Sequence, residues 1–598
     1  MKNTNALKTF HKLMKYFKGN YLLLFVSMIC IIATSFSQIF GTYMLKDIIS
    51  LGIAAKDFNY VIKYTSILGL MYTIGVICNF TYSLLMVNLS QKVVYTLRKE
   101  LYKKVLSLPL SYFDKHPIGE IMSYFTNDIE TMNNALNQSL GNILFSICNI
   151  VGTILGMFML DYRLSLIASF IIIVTVVFIY INAKKCRKYY KEQQKTIANV
   201  NATCEEDLRG AKVNKAFMHE DKSYVNFDKR NYERFNASKK AFFHTQLNTP
   251  FIISLSYVNF ALCTIVGLFM IKNGTLAAGI ATLTPFVIYI RQSGQPFNMF
   301  TVHLNNILTM LAGVERIFNF LNEDEETLKD KGLIVLTKID DKNYWKKPDG
   351  TLIEEQGNIV FDNVKFGYEN DKLILNGISF YANKGEKIAF VGSTGAGKTT
   401  IISLINRFYD IQGGNIYYDG ISIYEIKLES LRRAISVVTQ DTHLFSDTIY
   451  NNIRYPRMHS TKDEVINASK IGGAYEFINN LKDKYDTYLY DDAINLSEGE
   501  KQFLSLSRAA ISKPPCLILD EATSNIDTRS EAIIEKTMDT LMEGRTVLVI
   551  AHRLSTVRNA TAIMVLDHGR IIERGNHEDL IKQKNKYYSL YKGITELN

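Results

Sequence analysis

The chain has 598 residues, of which 47% are hydrophobic, and Lys and Arg outnumber Asp and Glu by 68 to 58. This length allows several domains, and a net charge of +10 is typical of proteins that meet nucleic acid or an anionic membrane surface. Long uncharged apolar runs in the first half favour the membrane and exclude a soluble protein that acts on nucleic acid. The seven cysteines form no C-x-x-C pair, so we expect reduced thiols rather than a disulfide framework or a zinc site.

The first twenty residues are basic and amphipathic. Leu7, Phe10, Met14 and Phe17 recur at helical spacing among lysines. The segment lacks a small-residue cleavage site, and the apolar run after it is too long for a signal peptide. We therefore expect a helix that lies on the inner face of the membrane.

Six apolar runs are candidates to cross the core of a bilayer, which takes about 20 residues. They are, roughly, Tyr21–Met44, Thr65–Leu89, Gln138–Leu160, Leu164–Asn182, Phe251–Ile271 and Ala277–Tyr289 with its flanks. The first five contain no Asp, Glu, Lys or Arg. The sixth is the weakest, because Pro285 interrupts it and Arg291 follows it.

The connections between these runs predict the orientation of the chain. Gln91–Leu136 and Ala183–Pro250 are long, helical in pattern and rich in lysine and arginine, whereas the other connections are short. The positive-inside tendency places the two long connections and the basic N-terminus in the cytoplasm. An even number of spans returns the chain to the same side, so we expect a protein of the cell membrane with both termini cytoplasmic.

From residue 357 onward, short β-rich runs alternate with helical ones, which is typical of a parallel α/β sheet. The predicted fold is therefore a membrane protein with a six-helix, all-α transmembrane domain over residues 1–320 and an α/β P-loop nucleotide-binding domain over residues 357–598. A charged linker is predicted between them, over residues 321–356, and it contains the only tryptophan, Trp345.

The clearest motif begins after the strand pattern Lys387–Val391. The letters G-S-T-G-A-G-K-T follow at 392–399, and then an apolar helical run. This is the context that the phosphate-binding motif G-x-x-x-x-G-K-[ST] requires, because glycines turn successive backbone N–H groups toward phosphate oxygens at a helix N-terminus. Lys398 would reach the terminal phosphates, and the Thr399 hydroxyl would ligate Mg²⁺. The residues predicted to bind the nucleotide here are Gly392, Ser393, Thr394, Gly395, Ala396, Gly397, Lys398, Thr399 and Thr400.

Two later strand patterns end in residues suited to hydrolysis. The letters C-L-I-L-D-E, at 516–521, end a buried strand in Asp520, predicted to hold Mg²⁺, and Glu521, predicted to polarise the attacking water as general base. The strand T-V-L-V-I, at 546–550, is followed closely by His552. Because the carboxyl ends of parallel strands meet at one edge of a sheet, we expect His552 to lie near the phosphates and to take part in hydrolysis.

Together these motifs resemble an ATP-binding cassette exporter of the half-transporter type, over nearly the whole chain. The resemblance implies that Tyr368, in F-G-Y, stacks on adenine, and that Gln440, in V-V-T-Q-D, senses Mg²⁺. It also implies that L-S-E-G-E, at 496–500, is the signature, usually L-S-G-G-Q, whose Ser497 and Gly499 contact ATP bound by a facing chain. Three further features of the family have similar segments here. The coupling regions resemble residues 109–128 and 205–220, and the exit of the sixth span resembles residues 289–296 and 312–318. The loop that crosses the dimer resembles residues 524–527.

In that family two cassettes face each other head to tail, so the resemblance implies that this chain must pair. The predicted cofactors are ATP and Mg²⁺. The predicted partners are a second half-transporter, the lipid bilayer and a small amphiphilic substrate, with no nucleic acid. The predicted function is ATP-driven export of drug-like amphiphiles by alternating access. A lipid flippase is an alternative, and so is a nucleotide-gated channel or regulator, although an intact Glu521 disfavours a mere gate.

Glu498 and Glu500 depart from the usual signature. Ser497 and Glu500 have the S-x-x-E spacing of a capping box, which would stabilise the start of a helix. A carboxylate there also competes with a triphosphate, because two unit charges ~4 Å apart at an effective dielectric of about 20 repel by about 4 kcal/mol. A weakened signature beside an intact phosphate loop predicts a heterodimer, with a homodimer as the alternative.

Overall fold

The structure is a computed structural model that describes residues 3–340, 342–369, 372–439, 442–520, 528–550 and 557–592. The chain divides into two compact units. The first, here the helical unit, comprises Met1–Leu106 and Ile118–Glu323, and the second, here the sheet unit, comprises Ser107–Pro117 and Asp324–Asn598. The domain boundaries predicted from the sequence stay predictions.

The chain as far as residue 321 is helical. Its helices are α1 (Asn3–Met14), α2 (Tyr21–Asp47), α3 (Phe58–Ser107), α4 (Leu110–Lys115), α5 (Ile118–Ser123), α6 (Ile129–Asn134), α7 (Leu140–Leu160), α8 (Tyr162–Arg209), α9 (Ala211–Ala216), α10 (Glu220–Gln246), α11 (Asn248–Lys272) and α12 (Ile280–Leu321). π-Helical turns join or extend some of them, at Ile48–Ile53, Tyr124–Asp128 and Ala135–Ser139. The regions predicted to hold the coupling helices contain the short helices α4 and α9.

Five helical stretches of the described residues are long and apolar enough to cross a membrane. They are Tyr21–Ile53, Phe58–Ser107, Ile118–Leu160, Tyr162–Arg209 and Glu220–Lys272, and they contain the first five predicted spans. Most of the sixth predicted span falls on α12, a helix of 42 residues that is not one of these five. A membrane-spanning helical domain is therefore observed, whereas six spans remain a prediction.

Helices α3 and α8 are much longer than a membrane is thick. They have 50 and 48 residues, which at 1.5 Å per residue is about 75 Å and 72 Å, against about 30 Å of hydrocarbon. The polar residues that follow the second and fourth apolar runs therefore continue the same helices.

Helix α1 packs against α12. Leu13 and Phe17 are each 1% exposed, and the Tyr16 hydroxyl donates a 2.5 Å hydrogen bond to a carboxylate oxygen of Glu100 in α3. Phe10 and Met14 are half-buried. Part of the apolar face that the sequence assigns to the membrane surface is thus covered by protein.

Side-chain hydrogen bonds and one close approach to a glycine hold helix α12 against its neighbours. The Tyr289 hydroxyl donates to the carbonyl oxygen of Ile39 in α2 at 2.6 Å. A Cβ at Gly156 of α7 would lie 2.7 Å from Cζ of Tyr289, so only glycine lets the ring lie there. Nearer its end, Arg316 donates to both carboxylate oxygens of Asp128, which is 3% exposed. The seven cysteines of the chain are all free thiols, of which two are buried and the others half-buried.

The sheet unit contains three sheets. Its strands are β1 (Val335–Ile339), β2 (Lys342–Lys346), β3 (Leu352–Glu354), β4 (Ile359–Phe366), β5 (Leu375–Ala382), β6 (Lys387–Val391), β7 (Gly413–Tyr418), β8 (Ile421–Ser422), β9 (Ile435–Val438), β10 (Cys516–Asp520), β11 (Thr546–Ile550), β12 (Ala562–Asp567) and β13 (Arg570–Gly575). Its further helices are α13 (Lys398–Ile405), α14 (Leu428–Arg433), α15 (Ile449–Arg454), α16 (Lys462–Ile471), α17 (Tyr475–Asn480), α18 (Glu498–Ser512), α19 (Thr528–Met542), α20 (His577–Gln583) and α21 (Lys586–Tyr591).

The largest sheet has the strand order β13-β12-β6-β11-β10-β9. All its pairs are parallel except β12 with β13. Along β6 the residues alternate between two cores, with Ala389 and Val391 in one and Ile388 and Phe390 in the other. A parallel sheet buried on both faces is the predicted α/β architecture. The sheets β5-β4-β7-β8 and β1-β2-β3 are antiparallel.

The sheet β1-β2-β3 lies inside the region predicted as a linker. Trp345 of β2 is fully buried, and its indole N–H donates to a carboxylate oxygen of Asp419 at 2.9 Å. Glu355, just after β3, is 9% exposed. One of its oxygens accepts from Asn343 at 2.7 Å, and the other has no hydrogen-bond partner among the described residues. Burial, helped by the nearby charge of Asp419, raises the pKa of Glu355 to about 7.

Candidate nucleotide-binding site

The loop between β6 and α13 has the conformation that a phosphate-binding turn requires. Gly392, Gly395 and Gly397 have positive φ angles of 153°, 82° and 102°. A Cβ at Gly392 would come within 2.2 Å of the carbonyl oxygen of Leu566, so a side chain cannot be accommodated there. The loop leads directly into the N-terminus of α13, where the helix dipole favours an anion.

Lys398 is folded back over this loop. Its side chain is 5% exposed, and Nζ donates to the carbonyl oxygens of Gly392 and Ser393 at 2.6 and 3.1 Å. Of the two threonines that follow, Thr399 is exposed and Thr400 is buried. The ammonium group therefore lies against the loop, and Thr399 is exposed in the first turn of α13.

The other predicted loop residues differ in exposure. Thr394 is exposed, Ser393 is half-buried and Ala396 is buried. The hydroxyl of the buried Thr400 lies 3.3 Å from that of Tyr368. Ala396 and Thr400 can therefore reach a nucleotide only through their backbone groups.

Tyr368 lies beside the loop and remains 47% exposed. Its ring meets those of Phe366 and Tyr409 edge to face, each with centroids 5.1 Å apart. The Tyr409 hydroxyl in turn donates to a carboxylate oxygen of Asp114 in α4. A cleft of about 820 Å³ lined by Tyr368, Tyr409, Asp114 and other residues opens here. An aromatic ring suited to stacking on adenine is thus connected, through Tyr409, to the helix in the first predicted coupling region.

Asp520 ends β10 at the same edge of the sheet as the loop. It lies opposite Ile550 of β11, and Ile550 lies opposite Phe390 of β6, two residues before Gly392. Asp520 is half-buried. Glu521, His552 and Gln440 were predicted to complete the site, but all three lie outside the described residues. The strands that precede them, β10, β11 and β9, are neighbours in this sheet.

The signature lies at the start of α18, far from the phosphate loop in the sequence. Side chains of the signature itself cap the helix. Ser497 Oγ accepts from the backbone N–H of Glu500 at 3.4 Å. One carboxylate oxygen of Glu500 accepts from both the backbone N–H and the hydroxyl of Ser497, each at 2.8 Å. The predicted capping box is therefore confirmed. Gly499 is buried, and the Glu498 carboxylate pairs with Lys501 Nζ at 2.8 Å.

The turn that leads into the signature is strained. Asp491, Asp492 and Ala493 have φ angles of 42°, 59° and 56°. For residues other than glycine this left-handed conformation costs roughly 1–2 kcal/mol each. The Asp492 carboxylate accepts from the backbone N–H of Leu444 and lies 2.9 Å from His443 Nδ1. These contacts help to hold the turn in place.

Two further side chains of α18 reach the segment after Gln440, and the sequence reasoning missed both. Gln502 accepts from the Thr442 hydroxyl at 2.8 Å. Arg508 donates to the carbonyl oxygens of His443 and Asn452 at 2.6 and 2.8 Å, and burial lowers the pKa of its guanidinium. Their positions inside an ordinary helical pattern give no signal of this contact. The structure thus ties the signature helix to the loop predicted to sense Mg²⁺.

Comparison with known proteins agrees with this arrangement. Residues 24–293 match the family described as the ABC transporter transmembrane region, and residues 375–524 match the ABC transporter family. An uncharacterised ABC transporter ATP-binding protein of Bacillus subtilis, YfiC, is 36% identical over 98% of this chain and 94% of its own length. An ATP-dependent lipid A-core flippase of Syntrophus aciditrophicus is 33% identical over 87% of this chain and 84% of its own length.

A solved structure is also similar along its whole length. It is a bacterial Atm1-family ABC exporter with ATP bound, 26% identical, with a TM-score of 0.77 over 98% of this chain and 99% of that one. The similarity therefore extends across both units of the chain.

Proposed function

The chain belongs to the ABC transporter family, as a half-transporter that couples ATP hydrolysis to export, and on that premise we propose that it moves an amphiphile as one half of a heterodimer. Half-transporters of this family act as dimers in a lipid bilayer. We further propose six spans in this chain, with both termini in the cytoplasm.

The observation that carries the heterodimer is the position of the Glu500 carboxylate. It accepts both donors of Ser497, the backbone N–H and the hydroxyl. The resemblance implies that Ser497 contacts the ATP bound by the other chain. A phosphate would have to displace the carboxylate or approach it, and like charges repel. Pairing with Lys501 offsets the charge of Glu498 only in part, because Glu498 is 64% exposed.

The other half of the site has no such defect. Three glycines of the loop have positive φ angles, Lys398 Nζ donates to a loop carbonyl oxygen, and Thr399 is exposed, which supports phosphate binding by this loop. In a heterodimer, the ATP bound by this loop would meet the partner's signature and be hydrolysed. The ATP that meets Ser497 and Glu500 would be held but turned over slowly.

The donor groups at the loop suit Mg²⁺. The Thr399 hydroxyl and the Asp520 carboxylate are hard oxygen ligands on one edge of the sheet, and Gln440 would add an amide oxygen. The ion would neutralise charge on the phosphates when bound. Glu521 would then accept a proton from the attacking water, and His552 would help to orient the reacting groups.

For the cargo, we propose a drug-like amphiphile. The predicted spans are apolar and rich in aromatic residues, which suits a substrate with an apolar tail. A lipid flippase is the second candidate, and the similarity to a protein named for lipid A-core movement favours it. A nucleotide-gated channel or regulator would not need a general base at Glu521, so the presence of this residue disfavours that function.

The test is the ATPase rate of the purified chain, alone and with its partner. Alone, it should be slow, because both sites would use the acidic signature. The double reversion Glu498→Gly with Glu500→Gln should raise the rate, and Lys398→Ala should abolish nucleotide binding as a control. Brisk hydrolysis by the unmodified chain alone, unchanged by the reversion, would refute the heterodimer and leave both glutamates as helix caps.

A further inference from the structure

Helix α12 contains a single fixed charge within its apolar part. Arg291 is the only Asp, Glu, Lys or Arg between Lys272 and Glu315. It lies between Pro285 and Pro296 on one continuous helix. With α12 as the sixth span, Arg291 lies about 16 Å along the helix from Ile280, near the middle of about 30 Å of hydrocarbon. A guanidinium there is costly unless it meets water or an anion, so such residues mark pathways for a substrate or ion.

Arg291 is part of a polar stripe along one side of α12. Thr284, Arg291, Gln295 and Asn298 follow each other at intervals of seven, four and three residues, so they share a face of the helix. Arg291 and Gln295 are exposed, and Thr284 and Asn298 are half-buried.

Another side of α12 is packed against the helical unit. Phe286, Tyr289 and Ile290 are fully buried, in a cluster with residues of α7, α8 and α11. The stripe therefore faces away from the core of the helical unit. A row of polar side chains cannot lie against hydrocarbon without a cost, so the stripe must border water or a second chain.

The stripe lacks a counter-ion. Among the described residues no carboxylate forms an ion pair with Arg291, and the first five predicted spans contain no Asp or Glu. Within the part of the chain that the structure describes, Arg291 is thus a positive charge among apolar helices without a carboxylate partner. Its complement is an anionic group on an otherwise apolar molecule.

We propose that Arg291 binds the anionic head group of the transported amphiphile, a carboxylate or a phosphate, while the tail lies against apolar residues of the spans. The proposal rests on amphiphile export and on α12 as the sixth span. It makes Arg291 a residue that determines specificity, since a forked guanidinium binds either oxyanion through two hydrogen bonds.

The first experiment compares head groups on one tail. Hexadecanoate, hexadecyl phosphate and hexadecanol are titrated against the ATPase rate of the active dimer in vesicles. Wild type should respond to the two anions at lower concentrations than to the alcohol. Arg291→Gln should raise the half-saturating concentration of the anions about ten- to a hundredfold, the range for a lost charge-assisted hydrogen bond, and leave the alcohol curve in place. Arg291→Lys should retain part of the preference.

The control is Lys272→Gln, which removes an exposed positive charge at the end of α11 and should change none of the three curves. If amphiphiles stimulate the wild type but Arg291→Gln shifts all three alike, or none, the assignment of Arg291 is wrong and amphiphile export stands. If no amphiphile affects the wild type, amphiphile export itself fails. Where the anions do stimulate the wild type, comparing hexadecanoate with hexadecyl phosphate shows whether the protein prefers a carboxylate or a phosphate head group.

A second experiment tests the stripe without any cargo. In a chain whose seven native cysteines are replaced by alanine, Arg291→Cys should react with a membrane-impermeant, anionic methanethiosulfonate, because the stripe borders water. Phe269→Cys, at an exposed apolar position on α11, should stay unlabelled, because we expect an exposed apolar side chain of a predicted span to face lipid. Failure of Arg291→Cys to react, with and without ATP, would overturn the proposal.

Discussion

Replacing the buried carboxyl of Glu355 should stabilise the sheet unit at neutral and alkaline pH. Its pKa rises from an ordinary 4.5 to about 7 in the folded chain. A raised pKa means that folding favours the protonated form, so the associated stability is present below about pH 4.5 and is lost as the pH rises through 7. At 1.36 kcal/mol per pKa unit, the loss is about 3 kcal/mol once the group is ionised.

Glu355→Gln removes this loss, because the amide keeps the shape and an oxygen acceptor for Asn343 but cannot ionise. The two proteins should have nearly equal stability at about pH 4, and the variant should be more stable by about 3 kcal/mol at about pH 8. The only tryptophan, Trp345, is buried in the same small sheet. Its fluorescence during urea unfolding in detergent therefore measures this region selectively.

Glu354→Gln is the matched control. Glu354 is the neighbouring residue, but its side chain is 42% exposed and pairs with Lys342 at the surface. That change should leave the difference between the two pH values as in wild type. If wild type and Glu355→Gln show parallel pH profiles, Glu355 is not held protonated by burial, and the reasoning is refuted.

Three further changes test other contacts. Glu521→Gln should leave ATP binding nearly intact and lower turnover by about 10²–10⁴-fold, and near-wild-type hydrolysis would assign the base elsewhere. Tyr409→Phe keeps the ring but removes the hydrogen bond to Asp114. KM for ATP should therefore stay unchanged, while stimulation of the ATPase rate by substrate should fall. An equal loss of ATP affinity and of substrate stimulation would contradict this. Arg316→Met should lower the melting temperature by leaving Asp128 buried and unpaired. Adding Asp128→Asn should recover part of that loss, and a further drop instead would show that the pair does not act through charge.

The phosphate loop could be predicted because its chemistry is local. Strand, glycines, lysine and helix are consecutive in the sequence, and their backbone angles follow from the residue types. The first five apolar runs were equally plain, since length and lack of charge suffice. The capping box of Ser497 and Glu500 could also be predicted, from the spacing of the two residues.

Contacts between segments that are far apart in the sequence could not be predicted. The strands around Trp345 are short and polar, and the buried indole between them bonds Asp419, which is 74 residues away in the sequence. The bond from Thr442 to Gln502 spans 60 residues. Such pairings depend on the folded neighbourhood and leave no periodic trace in the sequence. The same holds for the strained turn at Asp492, whose residues do not favour positive φ as glycine does.

The length of α8 has a mechanical consequence. Across its 48 residues it contains neither glycine nor proline, whereas α12 contains two prolines. An uninterrupted helix of about 72 Å acts as a stiff lever, so tilting it by about 5° moves one end by about 6 Å relative to the other. A small rotation at its polar end would thus become a displacement of several ångströms at the far end. The prolines let α12 bend, so the same rotation would change its curvature rather than swing it as a rod.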